Sequence, residues 1–132
     1  MSDFYQAEIL DHAKYPRNSG QLPNATVSRE EINPLCGDKL RLDLLIEGGT
    51  IKDVRFSGRG CAISQAAASM LTEHVKGASI EEARAVSKDD VLDMLGIPIG
   101  YTRLKCALLG LKALKVAVYS YTDETWDDEE LD

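Results

Sequence analysis

Three cysteines, Cys36, Cys61 and Cys106, and one carboxylate, Asp38, are the residues of this chain whose types and settings suggest chemistry. Cys61 follows Phe56-Ser57-Gly58-Arg59-Gly60 and opens Ala62-Ile63-Ser64 and a run rich in Ala, Met and Leu that reaches Lys76 and stops at Gly77. Gly58 and Gly60 predict a tight turn with positive φ where a strand hands over to a helix. A thiol at a helix N-terminus meets unsatisfied N–H groups and the positive end of the helix dipole, which favour the thiolate, the form that binds metal. The alternative for such a cysteine among alanines is a small buried hydrophobe. Cys36 lies in Asn33-Pro34-Leu35-Cys36-Gly37-Asp38, where Asn-Pro starts a turn and Gly37 lets Cys36 and Asp38 converge. That stretch also reads as a polar hairpin with an incidental cysteine. Thr102 is expected to cap a last helix from about Arg103 to Tyr121, with Cys106 in its first turn or so. Arg103, three residues earlier, shares the face of Cys106, whereas Lys105 points about a quarter-turn away.

The cysteines are 25 and 45 residues apart and form no CxxC pair, so a zinc ribbon or treble-clef knuckle is not supported. If a β region packs against a helical half, the turn at Cys36, the strand end at Cys61 and the helix start at Cys106 can meet at one edge. Three thiolates and the Asp38 carboxylate then make a four-ligand site, and soft thiolates suit Zn²⁺ and Fe–S clusters. One hard carboxylate among thiolates suits release over permanent storage.

The elements that must position these groups are legible in the patterning. Residues from about Asp3 to Ala13, with Phe4, Ile9 and Leu10, suit a short amphipathic helix, broken by Tyr15-Pro16-Arg17-Asn18-Ser19-Gly20. Ala25 to Ile32 is a plausible charged edge strand. Leu40, Leu42, Leu44 and Ile46 alternate with Arg41, Asp43 and Leu45, Gly48-Gly49 make a hairpin turn, and Ile51 to Phe56 run back. The fold class predicted is α+β, a three-stranded antiparallel meander packed with helices. Ser79-Ile80-Glu81-Glu82 and Ser87-Lys88-Asp89-Asp90 have capping-box form, and Gly96-Ile97-Pro98-Ile99-Gly100 ends the second short helix. His12 is read as structural or solvent-exposed, and His74 lies too far along the Cys61 helix to join the site.

With 132 residues the chain predicts one domain, 1–121, followed by an acidic tail, 122–132, that holds seven acids in its last ten residues. The tail is most simply a solvated, disordered end, with Trp126 as an anchor if it binds a partner. A net charge of −7 argues against nucleic-acid partners. No apolar run long enough for a membrane span and no secretory signal are evident, and an odd cysteine count argues for reduced thiols in a cytoplasmic setting.

The motifs around the three cysteines, Asn33-Pro34-Leu35-Cys36-Gly37-Asp38, Phe56-Ser57-Gly58-Arg59-Gly60-Cys61-Ala62-Ile63-Ser64 with Ala68-Ser69-Met70-Leu71-Thr72-Glu73, and Lys105-Cys106-Ala107-Leu108-Leu109, closely resemble the IscU/SufU (NifU N-terminal) family of iron–sulfur cluster assembly proteins. The resemblance runs from the first helix to about Tyr121. It implies a scaffold fold with Cys36, Cys61 and Cys106 as metal or cluster ligands and Asp38 as the labile fourth. It also implies a cysteine desulfurase that delivers sulfur as a persulfide, separate iron and electron donors, and transfer of a [2Fe–2S] cluster to recipient apo-proteins. The IscU branch normally has a histidine before its third cysteine, where this chain has Lys105. Arg103-Leu104-Lys105-Cys106 instead is similar to the SufU branch, described as a zinc-binding sulfur acceptor, although the interval between the second and third cysteines is of compact IscU-like length. The Leu-Pro-Pro-Val-Lys segment that engages the IscU branch's chaperone is absent.

Three readings therefore stand. The first is a non-catalytic scaffold, with Cys106 beside Arg103 and Lys105 as persulfide acceptor. The second is a sulfurtransferase-like accessory that holds Zn²⁺ and takes sulfur on Cys36. The third is a purely structural zinc site, which Asp38 fits poorly. Lys105 is either a cation that offsets thiolate charge or pairs with Asp38, or a solvent-facing lysine. A cluster bridging two chains in a homodimer is compatible with the sequence, which does not require it.

Overall fold

The computed structural model describes residues 2–34, 37–127 and 131, with side chains from residue 6 onward. Helix α1 (Ser2–Lys14) leads into strands β1 (Val27–Asn33), β2 (Asp38–Glu47) and β3 (Thr50–Arg59). Helices α2 (Ala62–Val75), α3 (Ile80–Ala85), α4 (Lys88–Leu95) and α5 (Tyr101–Tyr121) follow. The strands pair antiparallel in the order β1-β2-β3, so the predicted meander and the helical second half are both present. Among the described residues no helix is long and apolar enough to cross a membrane.

The alternation in β2 decides which face is covered. Leu40, Leu42, Leu44 and Ile46 are buried on the face that receives α2 and α5. β3 adds Ile51, Val54 and Phe56 to this core. Ile51 and Val54 are three residues apart, which simple alternation would send to opposite faces. A register shift opposite Leu45 and Ile46 adds one residue to β3 and turns both inward. Gly48 and Gly49, with φ of 60° and 76°, form the expected hairpin turn. Helix α1 keeps Ile9 in the core but leaves Leu10 on the surface, so its apolar stripe is narrower than the sequence suggests.

Helix α5 packs on β1 and β2 and crosses α2. A Cβ built on Gly110 would lie 3.4 Å from Ala68, so the absent side chain lets the two helices approach closely. Both capping boxes exist: Ser79 with Glu82 at α3, and Ser87 with Asp90 at α4. The backbone hydrogen bonds of these caps hold both carboxyls below the usual carboxylate range. Past α5, Arg84 reaches Thr122 and Glu124 and stacks on Tyr119, tying α3 to the segment beyond the last helix. Leu131 packs partly against the core, and residues 128–130 and 132 of the tail lie outside the described residues.

Asp43 departs from the alternation, being buried on the sheet face that the helices do not cover. The reason is a strap. Asn18 and Gly20 hydrogen bond to Phe56 on the free edge of β3, and the chain then crosses the sheet to start β1. In crossing, Leu22 N–H donates to Asp43 Oδ2 at 2.9 Å, while Arg41 Nε donates to Oδ1 at 2.8 Å. Burial pushes the Asp43 carboxyl up, but hydrogen bonds from Arg41, Leu22 and Ser28 outweigh it and hold the group below its ordinary value. The stability this contributes is therefore present above the unfolded carboxylate's pKa of about 3.9 and is lost as pH falls through the lower folded value. An Asp43→Asn chain is expected to lose about 1–3 kcal/mol at pH 7. Urea titrations of both chains should show that deficit shrinking below about pH 4; a deficit constant down to pH 2 would overturn the assignment.

Candidate metal centre

Asp38, Cys61 and Cys106 come from three elements that converge at one end of the sheet. Asp38 is the first residue of β2 and shares the inward parity of Leu40. Cys61 is the N-cap of α2, with extended backbone geometry, and Cys106 is the sixth residue of α5. A carboxylate oxygen and the two sulfurs all lie within 4.8 Å of one another. Donors about 2.3 Å from a tetrahedral metal lie about 3.8 Å apart, so small side-chain rotations suffice to close this set on an ion. Asp38 and Cys106 are buried, while Cys61 is partly exposed and both cysteines are thiols. Two soft donors and one hard donor fit Zn²⁺ or the iron of a cluster. Cys36, the remaining sequence-predicted ligand, lies outside the described residues.

Three local expectations need correction. Gly58 is not in a turn: β3 continues through it, pairing Gly58 with Leu40 and Arg59 with Lys39. Its φ of 134° is positive as expected, but it serves a close strand approach, because a Cβ there would sit 2.1 Å from the Lys39 carbonyl oxygen. Gly60 is not among the positive-φ glycines; its bare Cα instead leaves room for the site. A Cβ on Gly60 would stand 2.2 Å from Ser64 Oγ and 3.1 Å from Asp38 Cγ. Finally, α5 starts at Tyr101 behind Gly100, so Thr102 lies inside the helix and does not cap it, and Cys106 sits in the second turn.

Two residues beside the thiols were not singled out in the sequence. Asn33 Nδ2 donates to Cys106 Sγ at 3.6 Å. Ser64 donates to the Cys61 carbonyl at 3.1 Å, with its oxygen 3.9 Å from Cys61 Sγ. A signal for Asn33 existed: it is the cross-strand partner of Asp38, so a hairpin read from Asn33-Pro34 to Asp38 puts both on one face. Arg103 and Lys105 are exposed, and Lys105 forms no ion pair with Asp38 among the described residues. His12 is buried away from the thiols, sharing a 2.7 Å hydrogen bond with Ser69 Oγ that fastens α1 to α2. His74 is exposed at the far end of α2. A shallow groove is lined by Leu10, Ala13, Lys14, Gly60, Ala62 and Gln65, which include the two chain neighbours of Cys61.

A family model described as the NifU-like N terminal domain matches residues 4–127. The chain belongs to the NifU N-terminal family. Among relatives of this NifU-type domain is the zinc-dependent sulfurtransferase SufU of Bacillus subtilis, 38% identical over 135 aligned positions that cover 89% of this chain and 91% of SufU. The iron–sulfur cluster assembly scaffold protein IscU of Thermotoga maritima is 38% identical over 130 positions, covering 86% of this chain and 92% of IscU. Among solved structures, the NifU-like N-terminal protein of Brucella abortus superposes with a TM-score of 0.76 at 25% identity, covering 94% of this chain and 98% of that one. The family is that of iron–sulfur cluster assembly, and its SufU and IscU members resemble this NifU-type domain about equally.

Proposed function

We propose that this chain is a scaffold on which a [2Fe–2S] cluster is assembled as cargo and then passed to an apo-protein, with Cys36, Asp38, Cys61 and Cys106 as ligands. The observation that carries this reading is the convergence of two thiols and one carboxylate within 4.8 Å at the open end of the sheet. A storage site would favour four thiolates; a single oxygen ligand leaves one weaker bond at which a recipient's thiolate can enter. The partly exposed Cys61, between Gly60 and Ala62 of the groove, gives partners a place to approach.

Sulfur would arrive as a persulfide on a cysteine desulfurase. A thiolate of the scaffold attacks the outer sulfur, the S–S bond breaks, and the desulfurase cysteine leaves as thiolate. Two electrons from a separate donor then reduce that sulfur to sulfide, and iron comes from an iron donor. The 4% exposure of Cys106 speaks against it as the first acceptor, which favours Cys36 of the two sequence candidates.

One observation favours a second, SufU-like reading: position 105 is an exposed lysine, so the donor set there is limited to thiols and a carboxylate, which suits zinc. Bound zinc would hold those thiols deprotonated, and the chain would act on its desulfurase as a sulfur acceptor. Anaerobic reconstitution with iron and a desulfurase, followed by absorption spectra and metal analysis of the same sample, separates the two. About two irons and two sulfides per cluster, with visible bands, are expected of the scaffold. A colourless chain with about one zinc that stimulates the desulfurase would replace it by the sulfur-acceptor reading.

A further inference from the structure

We infer that Asn33 is a positioning residue for the site, holding the Cys106 sulfur in place through an N–H···S hydrogen bond that persists when Cys106 is a ligand. The inference rests on the reading of Cys106 as a ligand. Asn33 is the last residue of β1 and lies opposite Asp38, the first residue of β2. Directly opposed residues of an antiparallel pair project on the same face, and here that face receives α5, which packs closely on β1. Both groups of the contact are almost wholly withdrawn from water, with Asn33 at 5% and Cys106 at 4% exposure. Burying a carboxamide costs several kcal/mol unless its polar atoms find partners, so an amide at this place needs a use.

The amide has the right polarity for that use. A carboxamide NH₂ offers two donors, and a metal-bound thiolate, being anionic, accepts more strongly than a thiol. An Asp at this position would set like charges against each other. The other described cysteine is held differently. The Ser64 hydroxyl beside Cys61 spends its only proton on the Cys61 carbonyl, so it has none to give that sulfur. Thus Cys106 is fastened through its sulfur, whereas Cys61 sits at a helix start with its sulfur held by no comparable N–H donor among the described side chains. The two thiols are unequal ligands: Cys106 is the fixed corner of the site and Cys61 the one with freedom to adjust as cargo enters and leaves.

The test uses the full chain with Co²⁺ and Zn²⁺ as probes. The unmodified chain is expected to bind Co²⁺ with a sulfur-to-cobalt charge-transfer band. Asn33→Asp, which keeps the side-chain shape but removes the donor, should move that band to longer wavelength, because the sulfur lone pairs are no longer stabilised. Zn²⁺ affinity in chelator competition should fall about 10–100-fold. A merely structural role would change affinity and melting temperature together and leave the band in place. In case Asn33→Asp does not fold, the unmodified chain loaded with ¹¹³Cd²⁺ provides a second measurement: scalar coupling between the metal and the Asn33 side-chain amide protons is expected. An unmoved band in a folded variant, or a cadmium-loaded chain without that coupling, would overturn the inference. A chain that binds Co²⁺ without any sulfur charge-transfer band would overturn the thiolate site itself, and is distinguished by that spectrum.

Discussion

An Asp38→Cys chain is expected to keep its [2Fe–2S] cluster at least about tenfold longer than the unmodified chain, and to hand it on correspondingly more slowly, equivalent to about 1.4 kcal/mol on the exchange barrier. In the proposed ligand set Asp38 is the one hard donor beside three sulfurs, and its oxygen lies within 4.8 Å of both described sulfurs. A thiolate in its place makes a four-sulfur site of the kind that retains clusters. The cysteine sulfur sits closer to its own backbone than a carboxylate oxygen does. Its longer bond to metal, about 2.3 Å against about 2.0–2.2 Å for oxygen, recovers part of that reach. β2 pairs with β1 and β3 through its backbone, so the substitution leaves the sheet intact. The measurement is the decay of the visible absorption of the loaded chain, alone and with an apo-acceptor added. Cluster loss as fast as in the unmodified chain would mean that the carboxylate is not the release element.

Gly58→Ala should be the most damaging single-atom change in the sheet. The new Cβ would stand 2.1 Å from the Lys39 oxygen and 3.0 Å from its carbon, and both are backbone atoms of the paired strand. No rotamer relieves such a clash, so β2 and β3 must part at this rung. A φ of 134° is also a region that L-residues seldom occupy, at about 1–3 kcal/mol. With the ladder hydrogen bonds lost at about 1 kcal/mol each, the total comes to roughly 3–5 kcal/mol. That is a large fraction of the 5–15 kcal/mol by which domains are usually stable. Gly48→Ala is the control: its φ is 60° but its Cβ meets nothing within 4 Å, so only backbone strain of about 1–2 kcal/mol applies. Unfolding free energies from urea titration that lie within about 1 kcal/mol of each other for the two variants would show that the strand contact is not what Gly58 protects.

Gly58 keeps the ends of β2 and β3 together, Gly60 leaves space beside the carboxylate of Asp38, the first residue of β2, and Cys61 then caps α2. The Gly-x-Gly before Cys61 is therefore a device for close approach at both positions. The sequence showed two glycines and suggested a turn because glycine's freedom in φ is a local property. Which backbone lies against a missing Cβ is not local, and nothing in residues 56–61 alone points to Lys39.

What the sequence by itself determined is the chemistry of the donors and the nature of the elements. The period of two in Leu40, Leu42, Leu44 and Ile46 makes a half-buried strand whatever surrounds it. Ser79 and Ser87 cap their helices through atoms three residues away, and the motifs around the cysteines carry the family. Local interactions specify these features, so a linear reading recovers them. Only the tertiary structure decided the rest. It brought Asp38, Cys61 and Cys106, up to 68 residues apart in the chain, to within 4.8 Å. It buried Asp43 under a strap on a face that alternation assigns to solvent, and it gave Asn33, whose carbonyl closes the turn to Gly37, a further role as a donor to sulfur. Each of these depends on which surfaces meet when the sheet, α2 and α5 pack. A side chain's neighbours across such a contact are set by the packing of whole elements, and no run of adjacent residues encodes them.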